Sequence, residues 1–80
     1  MNRDKLKRLL MDVFLLSETD FRWDLTRDDI LTWDSLGTVS MAVGVQEAFG
    51  YHFSPQEALG IRGIGDLIRL LESKGIGFNG

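Results

Sequence analysis

The chain has no cysteine, one proline and one histidine (His52). No cysteine means no disulfide staple and no thiolate metal site. A single histidine makes a His-based metal cluster or a Ser-His-Asp triad within the chain a poor expectation. Basic residues are also in short supply, nine against twelve acidic ones, for a formal net charge of −3. That balance argues against a nucleic-acid binder, which would carry a basic stripe. No apolar run approaches the roughly 20 residues of a membrane span. The opening "MNRDKLKRLL" is charged from the start and holds no uninterrupted signal-type apolar region. The expectation is a soluble, cytoplasmic, monomeric protein forming one domain over residues 1–80. A chain this short buries only about 60–65 % of its unfolded surface, so stability rests on a thin apolar core.

What is present is helical periodicity. Leu6, Leu9, Leu10, Val13 and Phe14 fall at i, i+3, i+4, i+7 and i+8, predicting a helix over about 3–16. Residues 17–34 keep no period. They hold both tryptophans and six acids against Arg22 and Arg27, and read as a long ordered loop with a single helical turn around 27–31. A loop of that length in a small domain tends to be functional. A second helix is predicted over 35–49, stopped by Gly50. In "SPQEALG", Ser54 and Glu57 form a capping box with Pro55 at the first helical position, giving a short helix over 55–60. The last helix, about 64–74, carries Ile64, Leu67, Ile68 and Leu71 on one stripe. Gly63 is its N-cap, Lys74 lies in its last turn, and Gly75 with Ile76 forms its C-terminal cap. The fold class expected is all-α: a small four-helix bundle with a long first loop and a short third helix.

The second helix, "SLGTVSMAVGVQEAF", has apolar residues on two sides. At about 100° per residue, Thr38, Met41, Ala42, Val45 and Phe49 share a core wedge, with Phe49 its largest anchor. Leu36, Val39 and Val43 form a second stripe on another side, with Ser40 and Glu47. Such a stripe is either buried in the middle of the bundle or offered to a partner. Four helices, one of them short, can hardly wrap a central one. Gly44, inside this helix, either admits a close partner or is a tolerated weakness costing about 1 kcal/mol relative to alanine.

Asp34 can cap the second helix through its carboxylate. Ser35 follows, with no G-x-S-x-G elbow around it, so it does not read as a nucleophile of in-chain catalysis. A hydroxyl at a helix N-terminus suits modification instead, because a phosphate there meets free N–H groups and the positive dipole end.

With "DSLGTV" opening the second helix, "QEAFG" closing it, "FSPQEA" starting the third and "GIGDLIRLLESKG" forming the fourth, the chain resembles a stand-alone acyl carrier protein over about residues 6–76. The resemblance implies a non-catalytic carrier with 4'-phosphopantetheine, taken from coenzyme A, attached to Ser35 and bearing acyl groups as thioesters. The partners implied are a phosphopantetheinyl transferase and acyl ligase or synthase enzymes, which would dock on Asp34, Leu36, Val39, Val43, Glu47 and Ile61. Ile61 would also border the arm or cargo, and Met41, Val45 and Ile64 would limit cargo size.

Carriers of fatty acid synthesis are typically acidic along the second helix. Here Gly37 and Ser40 stand where acids are expected, and only Glu47 remains. Asp24, Asp28, Asp29 and Asp34 in the preceding loop could make up the charge. Trp33, bulkier than the usual residue, would pack the loop or shape the rim around the arm. These departures point to a specialised pathway of lipid or secondary-metabolite synthesis, with docking mainly through apolar contact. The alternatives are a helical interaction adaptor without a prosthetic group, or an aminoacyl or peptidyl carrier.

Overall fold

Leu6, Leu10 and Phe14, one helical turn apart, are buried along a single face of the first helix. In the computed structural model, which describes residues 2–78, this helix is α1, Asn2–Phe14. It stops two residues short of the predicted end. Leu15 turns left-handed (φ 58°), and the Leu16 N–H reaches back to the Met11 carbonyl at 2.9 Å. That bond has the register of a Schellman motif, with a leucine where glycine is usual.

The connection from α1 is ordered and contributes to the core. Phe21, Leu25, Ile30 and Trp33 are buried along it, and the expected helical turn is a 3-10 turn at Arg27–Asp29. Ser17 holds the start through its carbonyl and hydroxyl, which accept the Asp20 N–H. The turn is capped by Asp29, whose carboxylate accepts the Thr26 N–H (3.0 Å) and hydroxyl (3.1 Å). Those bonds, backbone first and hydroxyl second, hold the Asp29 pKa below its ordinary value.

Helix α2 (Ser35–Phe49) packs on α1 and ends at Gly50 (φ 75°), whose N–H bonds the Gln46 carbonyl. Its last turn has no basic residue of its own. Lys5 of α1 supplies one, donating to the Ala48 carbonyl at 2.8 Å with its ammonium over the Phe49 ring. A cation there satisfies an orphan carbonyl and opposes the negative dipole end.

Helix α3 (Pro55–Gly60) starts as predicted, with the Ser54–Glu57 capping box and Pro55 in its first turn. Helix α4 (Ile64–Ser73) buries Ile64, Leu67 and Leu71. It closes in a Schellman motif at Gly75 (φ 89°): Gly75 donates to the Glu72 carbonyl and Ile76 to that of Leu71. Beyond it, Phe78 folds back into the core. The Phe78 ring meets Phe49 edge-on at 5.7 Å, while Arg3 donates to the Phe78 carbonyl. Phe49 itself is only half-buried; the large fully buried rings are Phe14 and Phe78.

Among the described residues there are four α-helices and no strand, only one isolated antiparallel bridge, Thr26–Gly63. The bridge carries the Arg27 N–H to the Arg62 carbonyl (2.9 Å) and the Ile64 N–H to the Leu25 carbonyl (3.0 Å). It ties the long connection to the segment between α3 and α4. No helix among the described residues is long and apolar enough to cross a membrane.

Candidate functional site

Asp34 sets the start of α2. Its backbone is extended (φ −102°, ψ −165°) and its carboxylate accepts the Gly37 N–H at 2.8 Å. The Asp34 carbonyl takes both the N–H (2.8 Å) and the hydroxyl (2.9 Å) of Thr38. The turn that carries Ser35 is therefore fixed on both sides, while Ser35 itself is exposed.

Behind this turn, Thr32 donates its hydroxyl to the Phe14 carbonyl at 2.6 Å, and its own carbonyl lies against Gly37. A Cβ at Gly37 would collide with that backbone oxygen. The glycine at 37, where the resemblance implies an acid, is thus required by the close approach of the loop. Gly44 is different again. A Cβ there would press on Leu9 of α1, so Gly44 faces the helix–helix contact and not the outer stripe.

The second apolar stripe is not covered by the bundle. Leu36, Val39 and Val43 are 74 %, 59 % and 49 % exposed. Val39 and Val43 do more than face solvent. With Thr38 and Ala42 they form one wall of an apolar groove of about 440 Å³, whose other wall is Phe53, Pro55, Ala58 and Leu59. Ser35 also lines this groove. The α3 wall was not anticipated from sequence, although Ala58 and Leu59, beside one another in the short helix, were the available signal. His52 also borders the groove, with Nδ1 held by the Gln46 side chain at 2.8 Å.

Met41, Val45 and Ile64 are fully buried and do not line the groove. Ile61, whose N–H donates to the Ala58 carbonyl at the end of α3, is 2 % exposed and packs in the apolar core. Its side chain offers no surface to a partner. Glu47 is exposed. Of the loop acids, Asp24 pairs with Arg22 (3.2 Å), Asp29 caps the 3-10 turn and Asp34 caps α2. Trp33 is buried at 4 % exposure and stacks on Phe14, so it packs the loop against α1.

Fold and site together define a small helical bundle that presents a serine hydroxyl at the head of α2, on the rim of an apolar groove. No protein-family model matches the chain. It is similar to the acyl carrier protein of Coprothermobacter proteolyticus, 30 % identical over 77 residues that cover 91 % of this chain and 94 % of that protein. The chain belongs to the acyl carrier protein family.

Proposed function

We propose that this chain carries acyl groups as thioesters on a 4'-phosphopantetheine arm attached through a phosphodiester to the Ser35 oxygen. The observation that carries the reading is the place of Ser35: exposed, at the N-terminus of α2, and lining the apolar groove between α2 and α3. The arm, when attached, supplies a terminal thiol for thioester exchange. The chain's own part is to present the hydroxyl and to leave first-turn N–H groups for the phosphate, since the Asp34 side chain occupies only that of Gly37. Ser35 needs accessibility and not activation, because a partner transferase performs the loading from coenzyme A. A tether of this kind raises the effective concentration of cargo at each docked enzyme.

Docking falls to the exposed face of α2, Leu36, Val39 and Val43, flanked by Asp34 and Glu47. Ile61 is left out because it is buried. With one acid outside the cap along α2, charge steering is weak and apolar contact dominates recognition. That is the basis for a specialised pathway with dedicated ligase or synthase partners. The chain acts as a single carrier domain and leaves catalysis to those partners.

Incubation of the folded protein with a promiscuous phosphopantetheinyl transferase and coenzyme A tests the assignment. Intact-mass spectrometry should show one phosphopantetheine adduct, absent from Ser35→Ala. An unmodified wild-type chain, with circular dichroism showing it folded, would remove the basis of the reading.

A further inference from the structure

The three most exposed large apolar side chains among the described residues are Leu31 (98 %), Leu15 (80 %) and Leu36 (74 %). They come from the long connection, the end of α1 and the head of α2, and the fold brings those segments together. The Thr32 hydroxyl donates to the Phe14 carbonyl at 2.6 Å, and the Thr32 carbonyl lies against Gly37. Each leucine is the chain neighbour of one of these contact residues. Leu15 and Leu31 line the same surface depression of about 480 Å³. All three therefore stand at the end of the bundle that carries Ser35. Exposed leucines scattered singly are ordinary, but a cluster at one end marks an interaction surface.

Leu31 and Leu15 are also held in place. Ile30 and Trp33, on either side of Leu31, are buried, and the Trp33 N–H bonds the Ile30 carbonyl at 3.0 Å. Leu15 sits left-handed at φ 58° between buried Phe14 and half-buried Leu16, whose N–H is tied to the Met11 carbonyl. A leucine is costly in that conformation, where glycine is at ease. Apolar knobs on a fixed backbone lose little further freedom when covered, so a docked protein keeps most of the gain from burying them.

The position of Ser35 identifies the partner. An enzyme that forms a bond to the Ser35 oxygen must bring its reacting groups within about 3 Å of that atom. A stable protein contact covers about 800 Å² on each side, a disc about 16 Å in radius. Leu36 adjoins Ser35, and the Leu31 α-carbon is at most about 14 Å from that of Ser35. A footprint centred on Ser35 therefore reaches both, whereas an enzyme acting at the far end of an arm is free to dock elsewhere. The neighbouring charges give the sign of its rim. Asp20 and Asp29 line the depression and, among the described residues, neither is in an ion pair, while Arg22 beside them is paired with Asp24. The complement is basic.

We propose that Leu15, Leu31 and Leu36 form the docking face for the enzyme that modifies Ser35, a protein with an apolar socket rimmed by basic residues. The inference rests on the carrier reading and adds to the α2 face a part that only loading requires.

The test is the loading rate of the full-length chain with a promiscuous phosphopantetheinyl transferase and coenzyme A, followed by intact mass over a range of chain concentrations. Leu31→Ser should raise the KM for the chain about tenfold and leave kcat within about twofold of wild type, because the Ser35 turn is untouched. Leu15→Gly should raise KM about fivefold in a protein that melts no lower than wild type, which separates lost docking from lost folding. Leu31→Met, which keeps an apolar knob, should load as wild type does. The wild-type KM should rise with added salt, as attraction between acids and a basic rim requires. An unchanged KM in Leu31→Ser or in Leu15→Gly overturns the docking face, and so does a Leu31→Met as poor as Leu31→Ser. A KM indifferent to salt overturns the basic rim. If the wild type sediments as a dimer that Leu31→Ser converts to a monomer, the face joins two copies of this chain and the inference fails. A wild type that gains no adduct at all is failure of the Ser35 assignment, distinct from one that loads at a rate the leucines do not affect.

Discussion

The indole of Trp33 lies on the ring of Phe14 with centroids 4.7 Å apart and planes 23° from parallel. This stack joins the end of α1 to the residue just before the α2 cap, and so sets where Ser35 stands relative to the bundle. Trp33→Ala should destabilise the protein by about 3 kcal/mol, since it removes the stack and leaves a cavity. Trp33→Phe should recover most of that loss in a urea-unfolding series.

Gly37 and Gly44 should separate cleanly under the same substitution. A Cβ at Gly37 meets the Thr32 backbone carbonyl, which Thr32's own bond to Phe14 holds in place, so Gly37→Ala should cost about 1–3 kcal/mol. A Cβ at Gly44 meets only the flexible end of Leu9, and alanine gains helix propensity of about 1 kcal/mol. Gly44→Ala should therefore lie within about 1 kcal/mol of wild type. Equal midpoints for the two variants would contradict the loop placement around Gly37.

Leu15 occupies a left-handed position at φ 58° with its side chain exposed. A non-glycine residue there costs about 1–2 kcal/mol. Leu15→Gly should raise stability by roughly 1 kcal/mol, an increase of about 4–8 °C in Tm for a domain this size. A lower Tm would mean that Leu15 makes contacts the structure does not show.

The pH profile should carry the signature of Glu57. Its carboxylate accepts the Ser54 N–H at 3.0 Å and the Tyr51 hydroxyl at 2.7 Å, and these, in that order, hold its pKa below the ordinary 4.5. The folded state thus favours the ionised form. The resulting stability is fully present above pH 4.5 and is lost as pH falls through the lower folded value. For Tyr51 the same hydrogen bond raises the phenol's pKa, so its contribution is present below pH 10.0 and is lost as pH rises through the higher folded value. In Glu57→Gln the difference from wild type should be largest near neutrality and shrink as the solution is acidified, measured as unfolding midpoint against pH.

On the outer face of α2, Val39→Asp and Val43→Asp should slow transfer to and from partner enzymes without unfolding the bundle, because both positions are half-exposed or more. Transferase and ligase rates, each measured with the folded variants, check this. Unchanged rates throughout would place docking elsewhere.

The sequence by itself determined the helices and most of their ends, the exception being α1, which stops at Phe14, two residues early. The 3.6-residue stripes, the Asp34 and Ser54 caps and the glycines at 50 and 75 act within a turn or two of chain, and each appears where it was expected. The Leu36-Val39-Val43 stripe was legible for the same reason, since it is a property of one helix, but that it stays exposed was decided by how the other helices pack. Tertiary structure alone decided what depends on distant segments meeting. The Thr32 carbonyl fixes the need for glycine at 37, Leu9 claims the space beside Gly44, Phe78 returns to the core, and Ile61 is turned inward. The α3 wall of the groove and the pairing of Arg27 with Arg62 likewise arise from contacts between segments far apart in the chain. Side-chain periodicity carries no information about such contacts, because packing is settled by the shape and volume of the partner surface and not by local spacing.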